Sequence, residues 1–320
     1  MAHSSSLDTA ATAAAPAAWT DYLQLMKPRV MSLVVFTALT GLLCADRPMN
    51  PWLAAIAVFC IATGAGASGA LNMAYEGDID ALMRRTKSRP VAAGRIRKGD
   101  AAAFGMVLGL FSVMVMGLGV GLLAAGLLAF TIAFYAIVYT LLLKRTTAQN
   151  IVIGGAAGAL PPVVGWAAAS GQAPLNAWLM FAIIFLWTPP HFWALSLYVS
   201  TDYAKAGIPM MPLVKGMRST RRQIFAYSLL LVPLAVTPAF TGLGGRLYLA
   251  TSGIGGVVFL GLALRLLFSH AGEDSPNASG LYTIKTGGKE ARDLFAFSIV
   301  YLFALFAALM IEHALKLFGY

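Results

Sequence analysis

The sequence predicts an all-α polytopic membrane protein with nine transmembrane helices. Of its 320 residues, 59% are hydrophobic and only 11% are charged, whereas a soluble domain has about 25% charged residues. Apolar runs of the roughly 20 residues that cross a bilayer recur along the chain. The Lys and Arg residues fall almost entirely in alternate connections, which accounts for the net charge of +10 without a nucleic-acid partner. These observations exclude a soluble enzyme.

The chain begins with a segment of different composition. Met1–Ala18 is rich in Ala, Ser and Thr and lacks the basic start of a signal peptide. We therefore expect a disordered cytoplasmic tail over residues 1–22 and a single transmembrane domain over residues 23–320. The predicted spans are Val30–Ala45, Pro51–Tyr75, Ala101–Leu122, Leu123–Leu143, Ile151–Ala169, Ala177–Val199, Ile224–Phe240, Leu247–Phe268 and Leu294–Leu315.

Two further features follow from the order of these spans. The third and fourth are nearly continuous, and a run of glycines between 117 and 126 predicts the turn between them. With a cytoplasmic tail, 20 of the 23 Lys and Arg residues lie inside, and only Arg47, Arg246 and Lys316 lie outside. The positive-inside rule then places the N-terminus in the cytoplasm and the C-terminus on the opposite side of a bacterial inner membrane.

The long connections that carry the charges also lie on the cytoplasmic side, so we expect the chemistry at that mouth. Asn72 lies inside the second predicted span, and Glu76 and Asp80 follow it directly, so that the three residues are spaced four apart. On a helix they share one face, drifting about 40° per step. Polar groups at membrane depth are costly and usually functional. Oxygen ligands of this kind suit Mg2+.

Asp78 is about 240° around the helix from Asn72 and joins the metal ligands only if Gly77 ends or kinks the helix. Four basic side chains follow the acids, and together the two groups suit a metal that bridges to a diphosphate. The alternatives are an ordinary charged loop and a topology signal. The candidate diphosphate-binding residues here are Arg84, Arg85, Lys87 and Arg89.

His191 is the one histidine of four that lies well inside a predicted span, about 12–15 Å from the cytoplasmic end. It follows Pro189 and Pro190, which disrupt helix hydrogen bonds. An imidazole there can ligate iron, act as a base, or pack as a core histidine. The sequence leaves these roles open.

Two other pairs are weaker candidates. Asp202 and Lys205 follow the sixth span and suggest a second cation site or a lid, with a helix cap or ion pair as the alternative. Tyr135 and Tyr139 are four apart on the fourth span, where they can stabilise a carbocation by cation–π contact or simply pack.

The run NMAYEGDIDALMRRTKSRP resembles the first signature of the UbiA-type intramembrane prenyltransferases, Asn-Asp-x-x-Asp-x-x-x-Asp followed by basic residues and Arg-Pro. Asn72, Glu76 and Asp80 fall on its first, third and fourth positions, and Met73 replaces the second. That replacement removes one metal ligand. The resemblance covers nearly the whole chain except the tail. It implies helices around a central cavity that opens to the cytoplasm.

The same resemblance favours Arg85 and Arg89 as diphosphate ligands and places Lys27 and Arg29, which flank Pro28, at the polar mouth. For the latter pair, lipid headgroups are the alternative partner.

Within the family, the run WTPPHFWALSLY is similar to members that farnesylate haem b. Other members carry an aspartate motif in that region, where this chain has His191. The similarity implies farnesyl diphosphate and haem b as substrates and Mg2+ as cofactor. A haem acceptor fits His191 as an iron ligand, while the base and core-packing roles stay open. The similarity also implies haem A synthase or terminal-oxidase assembly proteins as partners. The alternatives are a prenyltransferase for an aromatic quinone precursor and, from another class, a secondary transporter.

Overall fold

The computed structural model describes residues 17–198, 207–272 and 288–317, and within these ranges all regular structure is helical. The helices are α1 (Trp19–Leu25), α2 (Pro28–Leu43), α3 (Pro51–Leu82), α4 (Lys98–Gly119), α5 (Leu122–Leu143), α6 (Asn150–Ala159), α7 (Pro161–Ser170), α8 (Leu175–Tyr198), α9 (Met211–Lys215), α10 (Met217–Val236), α11 (Arg246–Phe268) and α12 (Lys289–Leu317).

The described helices confirm the predicted spans. Eight of the helical segments, counting α6 with α7, are long and apolar enough to cross a membrane, and a ninth forms when α1 and α2 are taken as one span bent by 52°. The glycine-rich turn is also confirmed, since α4 ends at Gly119 and α5 starts at Leu122. The tail boundary was wrong, because residues 19–22 already belong to α1.

A break in the fifth span brings it close to α2. α6 ends before Leu160, and α7 starts at Pro161, where the missing N–H costs no hydrogen bond. α7 then packs so closely on α2 that a Cβ on Gly165 would overlap the backbone carbonyl of Ala38. Because only glycine permits this approach, α7 lies buried in the centre of the bundle.

The C-terminal half of the chain forms the larger core. Its fully buried rings include Trp193 from α8, Tyr248 and Phe259 from α11, and Phe306 from α12. Large apolar side chains point outward from other helices, such as Leu118 of α4 and Leu122 of α5. A hydrophobic exterior around a packed interior is the arrangement expected of a multi-pass membrane protein.

Candidate active site

The acidic face of α3 is the first part of the candidate site. α3 runs unbroken to Leu82, which is past the predicted end of its span, so the three predicted ligands stack on successive turns. Asn72, Glu76 and Asp80 are each only 1% exposed. Three polar side chains buried on one face of an apolar helix need partners.

A cation from a different segment meets each of these side chains. Lys27 Nζ donates to Asn72 Oδ1 at 2.5 Å, and Lys144 Nζ donates to Glu76 Oε2 at 2.5 Å. Arg89 Nη1 lies 2.9 and 2.8 Å from the two carboxylate oxygens of Asp80. Three cations therefore face two carboxylates, which leaves this cluster with a net positive charge that favours an anionic ligand.

Local backbone structure explains how two of the cations reach the cluster. Lys27 lies at the bend between α1 and α2 with φ of 53°, a left-handed conformation that is uncommon outside glycine. The bend points its side chain inward. In the loop after α3, Thr86 Oγ1 donates to the Asp80 carbonyl at 2.8 Å, which folds the chain back and places Arg89 over Asp80.

Thr140 orients the amide of Asn72. Residues Phe134–Leu143 of α5 form a π-helix, and in its wider turn Thr140 Oγ1 donates to the Tyr135 carbonyl at 2.9 Å. Because the hydroxyl proton is used there, Thr140 accepts from Asn72 Nδ2 at 3.1 Å. This contact directs Asn72 Oδ1 towards Lys27 and the cluster.

Thr140→Val is expected to lower turnover by about 10-fold, because it removes the acceptor that fixes the Asn72 amide. Thr37→Val is the matched control, since Thr37 is also buried but its hydroxyl bonds only to carbonyls of its own helix. The measurement is the steady-state rate of the prenyl transfer that the sequence resemblance implies, at varied Mg2+. The Thr140 variant should also need a higher Mg2+ concentration to reach half its maximal rate. Equal rates for both variants would contradict the orienting role.

The cluster fits a hard divalent cation. Glu76 Oε1 is buried without a hydrogen-bond partner among the described residues, which leaves one carboxylate oxygen free for a ligand. Within the same ranges, no three His, Cys, Asp or Glu residues lie close enough to hold a metal by themselves. Asn72, Glu76 and Asp80 would therefore share the ion with oxygens of a bound phosphate, as Mg2+ sites commonly do.

Asp78 lies apart from this cluster. α3 does not break at Gly77, so Asp78 points to the surface, where its side chain is 51% exposed and pairs with Arg145 at 2.9 and 3.1 Å. This pairing raises the pKa of Arg145 above its ordinary value, because the Asp78 carboxylate hydrogen-bonds to the guanidinium. Arg145 also stacks over the ring of Tyr75, 4.7 Å from its centroid. The condition under which Asp78 would join the metal ligands is not met.

The predicted basic residues also separate into two groups. Among the described residues, only two of them bond to the cluster: Arg89 bonds to Asp80, and Lys27 bonds to the amide of Asn72. Lys144 was missed, because a lysine just after a span resembles a topology signal. The predicted residues that are exposed and make no such contact are Arg29, Arg84, Arg85 and Lys87. Asp202 and Lys205 lie outside the described residues.

An apolar cavity of about 120 Å³ adjoins the cluster at Lys27. Small residues of α3, including Gly64 and Ala65, make room for it, and it extends past Ile61 to Val164 of α7. Tyr135 lines the cavity. Tyr139, whose ring centroid lies 5.2 Å from that of Tyr135, packs against Gly154 instead.

His191 forms a second part of the site on α8. The ring is 8% exposed and lies between Trp187, with centroids 4.1 Å apart, and Phe295, with centroids 4.8 Å apart. Its Nδ1 lies 2.7 Å from Ser298 Oγ. Among the described residues, no hydrogen bond joins His191 to the acidic cluster, so the structure holds two separate polar groups rather than one.

Comparison with known proteins decides the family. The model of the UbiA prenyltransferase family matches residues 34–286. The chain belongs to the UbiA prenyltransferase family. The chain is therefore a prenyltransferase, and its helical bundle is the fold of that family.

Within the UbiA family, the similar curated proteins carry one name. Protoheme IX farnesyltransferase of Caulobacter sp. (strain K31) is 65% identical over 97% of this chain and 94% of its own length. The protein of the same name from Caulobacter vibrioides is 67% identical over 92% of this chain and 91% of its own length. These relatives favour neither the quinone-precursor nor the transporter alternative.

Solved UbiA-type structures share the fold at low identity. A digeranylgeranylglyceryl phosphate synthase matches with a TM-score of 0.73 and 16% identity, over 92% of this chain and 98% of its own. A UbiA homolog from Archaeoglobus fulgidus bound to GPP and Mg2+ matches with a TM-score of 0.60 and 15% identity, over 90% of this chain and 99% of its own. The all-α fold prediction is confirmed.

Proposed function

We propose that the protein transfers the farnesyl group of farnesyl diphosphate to a vinyl group of haem b. Water adds to the resulting cation, so the products are haem O, with a hydroxyethylfarnesyl chain, and diphosphate. The observation that carries this proposal is the 65% and 67% sequence identity to two protoheme IX farnesyltransferases, over 97% and 92% of this chain. The product would then pass to haem A synthase or to terminal-oxidase assembly proteins.

The acidic cluster is the proposed diphosphate site. Asn72, Glu76 and Asp80 would hold Mg2+, which would supply positive charge next to the leaving diphosphate. Lys27, Lys144 and Arg89, which bond to these side chains, would stabilise the same charge once they contact the phosphate oxygens. The exposed basic residues attract the anionic substrate to this mouth, and they are Arg29, Arg84, Arg85 and Lys87.

The apolar cavity is the proposed site of the farnesyl chain. It begins at Lys27, so a diphosphate bound at the cluster would place its chain directly inside. A dry cavity delays capture of the farnesyl cation by water. Tyr135 presents its ring to this space, where it can stabilise the cation by cation–π contact. Tyr139 supports the Tyr135 ring.

His191 is the proposed contact of the acceptor. An imidazole nitrogen is a common ligand of haem iron, and the flanking aromatic rings suit the porphyrin plane. We place the protein in a bacterial inner membrane with the acidic cluster at the cytoplasmic side. The 20 to 3 division of basic residues supports that orientation.

The deciding experiment incubates purified protein with haem b, farnesyl diphosphate and Mg2+ and detects haem O by mass spectrometry. Glu76→Ala is the negative control, since it removes a carboxylate of the cluster. We expect product with the wild type, none with the variant, and none without Mg2+. Prenylation of an aromatic quinone precursor in place of haem b would overturn the proposed acceptor.

A further inference from the structure

Ser298 of α12 joins two aromatic side chains of α8. It is fully buried, and its backbone carbonyl accepts from Trp187 Nε1 at 2.7 Å. Its hydroxyl lies 2.7 Å from Nδ1 of His191. Because Trp187 and Phe295 also stack on the two faces of the imidazole, the ring is held in one orientation.

The direction of the hydrogen bonds fixes the position of the imidazole proton. Ser298 Oγ lies 2.6 Å from the carbonyl oxygen of Phe295, which can only accept a hydrogen bond. The single hydroxyl proton therefore points to Phe295. Towards His191 the hydroxyl can offer only a lone pair, so Nδ1 must carry the proton and donate it.

The other ring nitrogen follows from this assignment. No carboxylate bonds to His191 in the described part of the chain, and the ring lies among aromatic side chains, so the relevant forms are the two neutral tautomers. With the proton on Nδ1, Nε2 keeps a free lone pair. Only an unprotonated nitrogen can ligate a metal or accept a proton.

We propose that Ser298 is a positioning residue that holds His191 in the tautomer with an unprotonated Nε2. On the proposed function, this nitrogen is the one presented to the haem acceptor. The hydrogen bond that Nδ1 donates to Ser298 would also raise the basicity of Nε2 as an iron ligand. In the opposite tautomer, Nε2 would carry a proton and could neither bind iron nor take up a proton.

The tautomer can be measured without substrate. In full-length protein labelled with ¹⁵N-histidine and placed in lipid nanodiscs, protonated and unprotonated ring nitrogens give separate signals, and His191→Gln assigns those of His191. We expect a protonated Nδ1 and an unprotonated Nε2 in the wild type. In Ser298→Ala we expect a mixture or the opposite tautomer. A protonated Nε2 in the wild type, or an unchanged spectrum in the variant, would overturn the proposal.

Haem binding tests the consequence. Ser298→Ala should weaken haem b affinity, followed by the Soret band, by about 10–100-fold, and Ser298→Thr should recover part of it by restoring the hydroxyl. Ser228→Ala is the matched control, because Ser228 is equally buried but bonds only to its own helix at Ile224. Equal affinities for the two alanine variants would overturn the positioning role. The tautomer result stands even if no haem O forms, so failure of the proposed function is distinguishable.

Discussion

Asp80→Asn is expected to lower turnover by about 100–1,000-fold, whereas Asp78→Asn should leave it nearly unchanged. The two carboxylates are two residues apart and lose the same charge. Asp80 is buried in the acidic cluster and bonds to Arg89 through both oxygens. Asp78 lies at the surface with Arg145, where an exposed pair contributes about 0–1 kcal/mol.

The measurement is kcat with saturating substrates, together with the Mg2+ concentration at half-maximal rate. Asp80→Asn leaves Arg89 without its carboxylate, but Arg89 is partly exposed and can turn to water or phosphate. Thermal unfolding of both variants controls for stability. A similar loss in both would mean that the total charge of the mouth matters rather than the position of one acid. A normal rate for Asp80→Asn would remove it from the metal ligands.

The sequence alone predicted the acidic face because one rule of helix geometry decides it. A spacing of four residues aligns Asn72, Glu76 and Asp80, and α3 keeps that alignment to its end. The same rule set Asp78 apart from them. The spans were equally predictable, because the bilayer demands long apolar helices and alternate basic connections.

The cations were harder to predict because the fold, not the chain order, brings them to the acids. Lys144 is 68 residues from Glu76. Its position just after a span matches the positive-inside pattern, so the sequence gives no separate sign that it contacts Glu76. Arg84, Arg85 and Lys87 in the same loop carry the same charge as Arg89. Only the way the loop folds at Thr86 brings Arg89, and not the others, to Asp80.

The hydroxyl contacts were also beyond prediction. Ser298 and His191 are 107 residues apart, and a serine within an apolar span is normally a small packing residue. Thr140 bonds as it does because α5 widens into a π-helix, and nothing in the pattern of that apolar run marks the change. In both residues the hydroxyl proton is donated to a backbone carbonyl of the same helix, so the hydroxyl oxygen can only accept from its second partner.

Gly158→Leu is expected to lower kcat/KM for farnesyl diphosphate by at least about 100-fold. Gly158 lines the apolar cavity, and a Cβ built on it meets no atom within 4 Å, so the first carbon of a new side chain would enter open space. It lies eight residues into α6 from Asn150, or about 12 Å below the helix start. A leucine there would occupy cavity space that we propose for the farnesyl chain.

Chain length separates a blocked cavity from a damaged protein. Geranyl diphosphate is one isoprene unit shorter, so the Gly158 variant should lose less activity with it than with farnesyl diphosphate. Gly126→Leu is the matched control, because both glycines are exposed and a Cβ on either meets nothing within 4 Å, but Gly126 lies on α5 outside the cavity lining. Equal losses with both diphosphates would argue against a chain-length limit at this position. An unchanged rate with farnesyl diphosphate would show that the chain lies elsewhere, and the contact between Lys27 and the cavity would then have no part in substrate binding.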